Sequence, residues 1–200
     1  MIHVFHKGTD ETKPTLVLFH GTGGNENDLL PLADLLSPGS SVLGVRGNVL
    51  ENGMPRFFRR LSEGVFDEAD LVFRTHETKQ FLEQAAAEHG FDANNLVAVG
   101  YSNGANIAGS LLFHYGNIFQ SAVLLHPMVP LRGLTLPSMV GVPIFIGAGT
   151  NDPICPPAET RELEELLQGA GATVTMHWGN QGHRLSMDEA EAAKHWLARR

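Results

Sequence analysis

The sequence has little cysteine, few basic residues and no long apolar run, and each shortage excludes a class of protein. Cys155 is the only cysteine of the 200 residues, so no disulfide can form within the chain. The segment from Met1 to Lys7 has neither a basic region nor an apolar run of signal-peptide length. These two features predict a protein of a reducing, cytoplasmic compartment.

Membrane spans and nucleic-acid binding are also disfavoured by composition. Apolar stretches such as Thr15 to Phe19 and Ser121 to Leu125 end long before the ~20 residues that a transmembrane helix needs. The chain carries 14 Lys and Arg against 22 Asp and Glu, a formal net charge of −8. Because affinity for nucleic acid rests largely on Lys and Arg, we expect a small-molecule partner instead.

The chain contains no internal repeat and no low-complexity linker, so residues 1–200 are predicted to form one domain. Short runs rich in Val, Ile, Leu and Phe predict strands, and segments with helical spacing lie between them. The predicted strands are Ile2 to Phe5, Thr15 to His20, Ser41 to Val45, Leu96 to Tyr101, Ser121 to His126, Pro143 to Gly147 and Thr173 to Trp178. The predicted helices are Asn27 to Leu36, Glu68 to Glu88, Gly104 to Tyr115, Pro157 to Gln168 and Met187 to Ala198.

This alternation predicts an α/β protein with a mainly parallel sheet of about seven strands and helices on both faces. The short turn from Asp10 to Pro14 also allows the first two strands to form an antiparallel hairpin. In an open parallel sheet, ligands bind beyond the carboxyl ends of the strands. The loops that follow the predicted strands are therefore the place to look for a site.

One of these loops contains a G-x-S-x-G motif. The residues from Gly100 to Gly104 read G-Y-S-N-G, between a predicted strand and a predicted helix. A nucleophilic serine needs such a sharp turn to project its oxygen from the sheet, and the glycines relieve crowding there. Ser102 is therefore the candidate nucleophile. The alternative is that Ser102 only caps the helix that follows, since serine is a favoured N-cap residue.

A serine hydroxyl needs a base and a carboxylate that orients the base, in the chain order Ser, Asp, His for this type of sheet. Asp152 follows one late strand within G-T-N-D-P, and His183 follows the next within G-N-Q-G-H. Ser102, Asp152 and His183 are thus the predicted catalytic triad. The alternatives are turn or cap duty for Asp152 and an ordinary exposed loop histidine at position 183.

Two other histidines end predicted strands near the same site. His20 precedes the nucleophile in the chain, and we interpret it as a hydrogen-bonding group that orients its loop. His126 precedes Asp152, so it lacks the position expected of the base. We interpret His126 as a residue that lines the site or bonds to backbone.

The loop from His20 to Asn25 reads H-G-T-G-G-N and is of the type that helps to form an oxyanion hole. The predicted donors are the backbone N–H groups of Thr22 and of Asn103, the residue after the nucleophile. A phosphate-binding glycine loop is the alternative. It is disfavoured because the loop lacks both a G-K-[ST] ending and G-x-G-x-x-G spacing.

Together these motifs resemble those of the small carboxylesterase, lysophospholipase and acyl-protein thioesterase family of α/β-hydrolases. The resemblance rests on H-G-T-G-G-N, G-Y-S-N-G-A-N, G-T-N-D-P-I and the closing G-H, and it runs through nearly the whole chain. Asn103 and the segment from Pro55 to Arg59 look most like a bacterial branch that includes predicted esterases for resistance to hydroquinones. That branch is also similar to dienelactone hydrolases, whose nucleophile is cysteine, so Ser102 argues against lactone hydrolysis of their kind.

Several apolar side chains on loops at this edge are candidates for a substrate pocket, with ordinary loop packing as the alternative. They are Met54, Phe57, Phe58, Met128, Ile154 and Leu185. Arg56, Arg59 and Arg60 either meet an anionic substrate or serve the solvated surface. Cys155 is interpreted as a packed loop thiol.

The predicted function is a serine carboxylesterase for short-to-medium acyl or aryl esters. Thioesterase or lysophospholipase activity would use the same triad, and a non-catalytic ligand-binding protein of the same fold is the alternative from another class. No cofactor and no metal are expected, and the sequence leaves a homodimer open. Only residues 127–142 separate two predicted strands where many lipases insert a helical cap, so we expect no cap domain and an open site.

Overall fold

The computed structural model describes all of residues 1–200, and its centre is a sheet of seven strands. Each predicted strand is confirmed to within two residues at its ends. In chain order the strands are β1 (His3–His6), β2 (Thr15–Phe19), β3 (Val42–Val45), β4 (Val49–Glu51), β5 (Met54–Arg56), β6 (Arg60–Ser62), β7 (Val65–Phe66), β8 (Leu96–Tyr101), β9 (Ser121–Leu125), β10 (Pro143–Gly149) and β11 (Thr173–Gly179).

The seven-stranded sheet has the order β1-β3-β2-β8-β9-β10-β11. All neighbouring strands of this sheet are parallel except β1, which runs antiparallel to β3. The alternative of a β1–β2 hairpin is therefore wrong. After β1 the chain turns towards the segment before β3, where the Thr9 and Asp10 N–H groups both donate to Gly39 O. These bonds hold β1 at the outer edge of β3, so β2 takes the inner position between β3 and β8.

Five helices cover the sheet, and four of the five predicted helices begin and end within one residue of the observed ones. The helices are α1 (Leu30–Leu36), α2 (Glu68–His89), α3 (Asn103–Tyr115), α4 (Pro157–Gly169) and α5 (Met187–Leu197). Only α1 begins later than predicted, because residues 25–29 form turns in which Asn27 N–H donates to Asn25 Oδ1 and Asp28 N–H to Asn25 O. Pro31 then occupies the first turn of the helix, where proline is tolerated.

The helices divide between the two faces of the sheet, and a separate hydrophobic core fills each face. One core joins the sheet to α2, α3 and α4, and the other joins it to α1 and α5. Along β8, Leu96 and Ala98 enter the first core, whereas Val97 and Val99 enter the second. A strand buried on both faces has no polar side to alternate with, which explains the continuous apolar runs in the sequence.

Two small hairpins lie in the segment between β3 and α2 that the sequence analysis treated as a loop. Strand β4 pairs with β5, and β6 pairs with β7, both antiparallel. The first hairpin turns at Asn52 and Gly53, which both have positive φ angles, 51° and 81°. Asn-Gly is the strongest short hairpin signal. This signal was present in the sequence and would have predicted the turn.

The connection between β9 and β10, residues 127–142, contains no helix, and no cap domain covers the sheet edge. The expectation of an uncapped α/β-hydrolase fold is confirmed. None of the helices combines the length and the apolar character that crossing a membrane would require.

Helix α3 lies so close to the sheet at Gly104 that a side chain there would clash with backbone. A Cβ atom there would lie 1.9 Å from Phe19 O, whereas a Cβ at Gly169 would meet nothing within 4 Å. We expect Gly104→Ala to lower the free energy of unfolding by about 1–3 kcal/mol, because backbone must move to admit the methyl group. Urea unfolding followed by circular dichroism measures the change.

Gly169→Ala is the matched control, at the last residue of α4. Without a clash, the intrinsic helix propensity of alanine is expected to leave stability unchanged or to raise it by up to about 1 kcal/mol. Equal stability of the two variants would contradict the packing explanation.

Candidate active site

Ser102 lies on the sharp turn that joins β8 to α3. Its backbone has φ 52° and ψ −116°, a strained conformation for a residue with a side chain. The turn is held by two backbone bonds, from Ser102 N–H to Leu125 O and from Asn106 N–H to Ser102 O. The Ser102 side chain makes no capping bond to α3, so the interpretation of this serine as a simple N-cap is wrong.

The structure brings the three residues predicted for the triad together. His183 Nε2 lies 2.8 Å from Ser102 Oγ, and His183 Nδ1 lies 2.8 Å from Asp152 Oδ2. Asp152 follows β10 and His183 follows β11, so neighbouring parallel strands deliver both groups to the same edge. The hydroxyl of Tyr101 donates to His183 O at 2.6 Å and ties the histidine loop to the end of β8.

Asp152 uses its two carboxylate oxygens for different purposes. Oδ1 accepts the backbone N–H groups of Ile154 and Cys155 at 2.8 and 2.9 Å, which is the turn duty considered for this residue. Oδ2 faces the imidazoles of His183 and His126. Burial by itself raises the pKa of this carboxyl, but the bonds from Cys155, His183, His126 and Ile154 outweigh burial and lower the pKa. Asp152 therefore stays ionised and can orient both rings.

His126 has surroundings that the sequence analysis did not predict. Its ring is 3% exposed and lies between two carboxylates, with Nδ1 2.9 Å from Asp152 Oδ2 and Nε2 3.3 Å from Glu189 Oε2. The expectation that His126 bonds to backbone is wrong for the ring. The sequence analysis did not single out Glu189. Its S-x-x-E spacing from Ser186 predicts the start of a helix, but this spacing does not indicate that Glu189 contacts His126.

The loop after β2 lies beside the serine turn and is anchored to the first hairpin. The Thr22 N–H makes no hydrogen bond within the protein, and Asn103 N–H lies at the start of α3, where a helix leaves its N–H groups free. Arg56 donates to Thr22 Oγ1 at 2.6 Å, and Gly23 N–H donates to Pro55 O. The Asn103 side chain accepts from Phe57 N–H at 2.7 Å. Both predicted donors are therefore held by contacts with β5 and the residue after it.

His20 orients this loop, as predicted. Its Nδ1 lies 2.6 Å from Gly21 O, and its Nε2 accepts the Gly47 N–H at 3.1 Å. Burial lowers the pKa of His20, more than the bond to Gly21 and the nearby carboxylates raise it. A neutral ring that donates at Nδ1 and accepts at Nε2 satisfies both contacts.

The apolar residues proposed for a pocket fall into two groups. Met54 is 40% exposed, and Met128, Ile154 and Leu185 are half-buried, so their surfaces are open to a ligand at least in part. Phe57 and Phe58 are only 1% and 0% exposed and belong to the core. Their expected place in the pocket wall is wrong, because Phe57 packs against Phe19 and Phe58 against Phe66.

The three arginines considered for an anionic substrate are all paired with acidic residues of the chain. Arg56 is buried and lies 3.7 Å from Glu51, which also binds Arg60 at 3.0 Å. Arg59 contacts Asp67 at 3.2 Å. These pairs brace the two hairpins, so the arginines are engaged by carboxylates of the chain itself.

Two groups of side chains have donor atoms close enough together to ligate a metal ion. The first is His126, Asp152 and His183, where the Nδ1 atoms of both histidines already form hydrogen bonds to the same oxygen of Asp152. The second is His3, Glu88 and His89, with the two Nε2 atoms 2.9 Å apart. Strand β1, which carries His3, is separated from β8 by β3 and β2, so this second group is remote from Ser102.

A cavity of about 1090 Å³ is also remote from this chemistry. It opens where β8, β9 and β10 begin, and its wall includes Leu96, Ser121 and Pro143. Ser102, Asp152 and His183 follow the opposite ends of strands in the same sheet. The reactive groups mark the candidate site better than this cavity does, because no serine with a neighbouring histidine lines it.

Comparisons with known proteins agree with this architecture. Residues 56–198 match the family model described as the dienelactone hydrolase family. The chain is 56% identical over 196 residues to a protein of Bacillus subtilis strain 168 named "Putative hydrolase MhqD", and the matched region covers 98% of this chain and 97% of that protein. The crystal structure of a Bacillus cereus carboxylesterase has a TM-score of 0.97 and 64% identity, over 98% of this chain and 93% of the other.

A more distant relative is acyl-protein thioesterase 1 of Cryptococcus neoformans. It is 26% identical over 161 residues, which cover 70% of this chain and 66% of the thioesterase. The resemblance to carboxylesterases, thioesterases and dienelactone hydrolases drawn from the motifs is thereby confirmed.

The buried thiol generates a prediction that separates serine from cysteine chemistry. Cys155 is 3% exposed, and burial, with the charges of Asp152 and Glu159, raises the pKa of its thiol. Because the thiolate is the reactive form, we expect iodoacetamide near pH 7.5 to leave ester hydrolysis unchanged. Mass spectrometry and a p-nitrophenyl acetate assay on the same samples measure modification and activity together.

Unfolding the protein in urea is the positive control, since Cys155 must then become alkylated. Cys155→Ser is expected to retain activity. Loss of activity in step with modification of the folded protein would contradict an inert packing role for this thiol.

Proposed function

The chain belongs to the dienelactone hydrolase family, and from this premise we propose that it is a serine carboxylesterase that uses Ser102, His183 and Asp152. Relatives named hydrolase and carboxylesterase support an ester-hydrolysing enzyme. The observation that carries the finer proposal is the unbroken hydrogen-bonded series from Ser102 Oγ through the His183 ring to Asp152 Oδ2. Such a series is the arrangement that activates a serine hydroxyl.

Acylation begins when Ser102 Oγ attacks the ester carbonyl carbon. The new C–O bond forms as the serine proton passes to His183 Nε2, and the carbonyl oxygen becomes an oxyanion. The free N–H groups of Thr22 and Asn103 are the proposed donors to that oxyanion. When the intermediate collapses, the bond to the alcohol oxygen breaks, and the alcohol leaves with the proton from His183.

Deacylation repeats these steps with water. His183 takes a proton from water as the water oxygen attacks the acyl carbon, and the bond to Ser102 Oγ breaks as the proton returns to the serine. Asp152 stays ionised throughout and stabilises the imidazolium. Dienelactone hydrolases carry a cysteine nucleophile at the position that Ser102 occupies here. Because this difference argues against lactone hydrolysis of their kind, we propose esters of simple alcohols or phenols as substrates.

Thioester hydrolysis is the second candidate, and the similarity to acyl-protein thioesterase 1 favours it. The same serine and base would expel a thiolate in place of an alkoxide. Parallel assays of one acyl group as its p-nitrophenyl ester and as its thioester with a chromogenic thiol compare kcat/KM directly. A higher kcat/KM for the thioester would move the proposal to that class.

The proposed nucleophile is tested by Ser102→Ala. We expect this variant to lose both fluorophosphonate labelling and ester hydrolysis while staying folded, since one oxygen is removed from a half-buried turn. His183→Ala is expected to be comparably damaging, and Asp152→Asn to lower kcat by up to ~10⁴-fold because the base then adopts the wrong tautomer. Activity, labelling and circular dichroism are measured on each variant.

Ser110→Ala, at a buried serine of α3 outside the series, is the matched control and should keep both labelling and turnover. Retained turnover in Ser102→Ala would refute the nucleophile. A wild-type protein that neither labels nor hydrolyses any ester would instead favour the non-catalytic alternative.

The uncapped sheet edge generates a prediction about substrate size. Without a helical cap there is no apolar cover for a long chain, so we expect kcat/KM to be highest for short-to-medium acyl or aryl esters. A series of p-nitrophenyl esters of increasing chain length, assayed above and below their aggregation thresholds, tests this expectation. A jump in rate on aggregation, with a preference for long chains, would contradict an open site.

A further inference from the structure

His126 is a buried titratable group that the proposed reaction does not use. It follows β9 with a φ angle of 53°, and its ring nitrogens face Asp152 on one side and Glu189 on the other. Neither ring nitrogen bonds to Ser102. The surroundings of His126 therefore need an explanation beyond the triad.

The charges around His126 favour the imidazolium form. The Asp152 and Glu189 side chains are 0% and 4% exposed, and the only cationic partners within ion-pair distance of either are histidines. A neutral imidazole has one N–H and would turn a lone pair towards one of the carboxylates, whereas the imidazolium donates to both. An unpaired buried carboxylate is costly, so a cation between the two lowers the energy of both.

The other titratable groups near the ring do not compete for this role. The His183 and Tyr101 rings lie with their centroids 5.2 and 6.0 Å away, and the Cys155 thiol donates to the carbonyl of His126 and not to its ring. Burial by itself lowers the pKa of His126, but Glu189 first and then Asp152 outweigh burial and raise the pKa.

The fold makes space for the Glu189 carboxylate beside the sheet. A Cβ atom at Gly147 of β10 would lie 2.0 Å from Glu189 Oε1, so no other residue fits there without displacing that side chain. Gly147 O also accepts the backbone N–H of His126 at 2.7 Å. The same strand residue thus admits the carboxylate and fixes the backbone of the histidine that the carboxylate contacts.

We propose that His126 and Glu189 form a positioning pair, in which a positively charged His126 holds the Asp152 carboxylate and opposes protonation of His183. The inference rests on the proposed function. Both residues are positioning residues, because they act through Asp152 and touch neither Ser102 nor a substrate. A cation behind Asp152 disfavours a second cation on the other side of the same carboxylate. The pair would therefore extend activity to lower pH.

The charge of His126 is tested directly by NMR titration of the histidine rings, in wild type and in Glu189→Gln. Gln keeps the capping box with Ser186 and can donate to His126 Nε2, so the variant changes charge more than shape. We expect the wild-type ring to titrate above the ordinary value of about 6.5 and the variant ring to titrate lower. A wild-type ring that titrates at or below that value would overturn the inference.

The consequence for catalysis is tested by the dependence of kcat/KM on pH. His126→Asn keeps a donor towards Asp152 and tolerates a positive φ angle, but it cannot carry charge. In His126→Asn we expect the acid limb of the profile to move up by about 1 pH unit, because a proton on His183 is no longer opposed by a cation. In Glu189→Gln we expect a smaller upward shift, because the lost negative charge partly offsets the lost positive charge on His126. An acid limb that stays in place in His126→Asn would overturn the inference.

Ser186→Ala is the control for a merely structural role. It removes the cap of α5 but leaves the His126 contacts, so Tm should fall while the acid limb stays where it is. His126→Asn alone leaves Glu189 buried without a cation and should lower Tm, and adding Glu189→Gln should recover part of that loss. Strictly additive changes in Tm would contradict the pairing.

These measurements separate the inference from the proposed function. If the wild-type protein hydrolyses no ester, the proposed function fails, while the NMR titration and the Tm coupling still decide the charge of His126. If the enzyme is active and loses activity in Ser102→Ala, an acid limb that His126→Asn does not move counts against the positioning pair alone.

Discussion

The Asp152 carboxylate accepts four hydrogen bonds, and the loops at the carboxyl edge of the sheet depend on it. Two bonds from backbone close its own turn, and two from imidazoles reach the loops after β9 and β11. A buried carboxylate with this many donors keeps its charge, because each bond stabilises the ionised form. Loss of that charge would release the proposed base and the turn after β10 together.

The parallel sheet explains why one carboxylate can serve three loops. Strands β9, β10 and β11 are neighbours in register, so the residues that follow them emerge side by side. The turn after β8 adds Ser102 from the next position along the sheet. The hydrophobic cores on the two faces hold these strands rigidly, so the side chains that follow the strand ends are also held in fixed positions.

The oxyanion loop depends on a different set of contacts, which the first hairpin and the residues beside it supply. Arg56 reaches Thr22 from β5, Phe57 N–H binds the Asn103 side chain, and His20 bonds the Gly47 N–H at the start of the same segment. The residues around β5, some of which the sequence suggested for a substrate pocket, therefore chiefly hold the proposed oxyanion donors Thr22 and Asn103 in place. Its aromatic pair faces the core because Phe19 and Phe66 offer apolar partners there.

The sequence alone determined the α/β fold, the strands of the sheet, and Ser102, Asp152 and His183 as candidates, because periodicity and strand-end motifs are local signals. Only the tertiary structure decided that β1 pairs with β3, that Phe57 and Phe58 are buried, and that His126 lies between Asp152 and Glu189. These contacts join residues far apart in the chain. His126 meets Glu189 because the start of α5 packs beside it, and no local pattern in a single sequence indicates that packing.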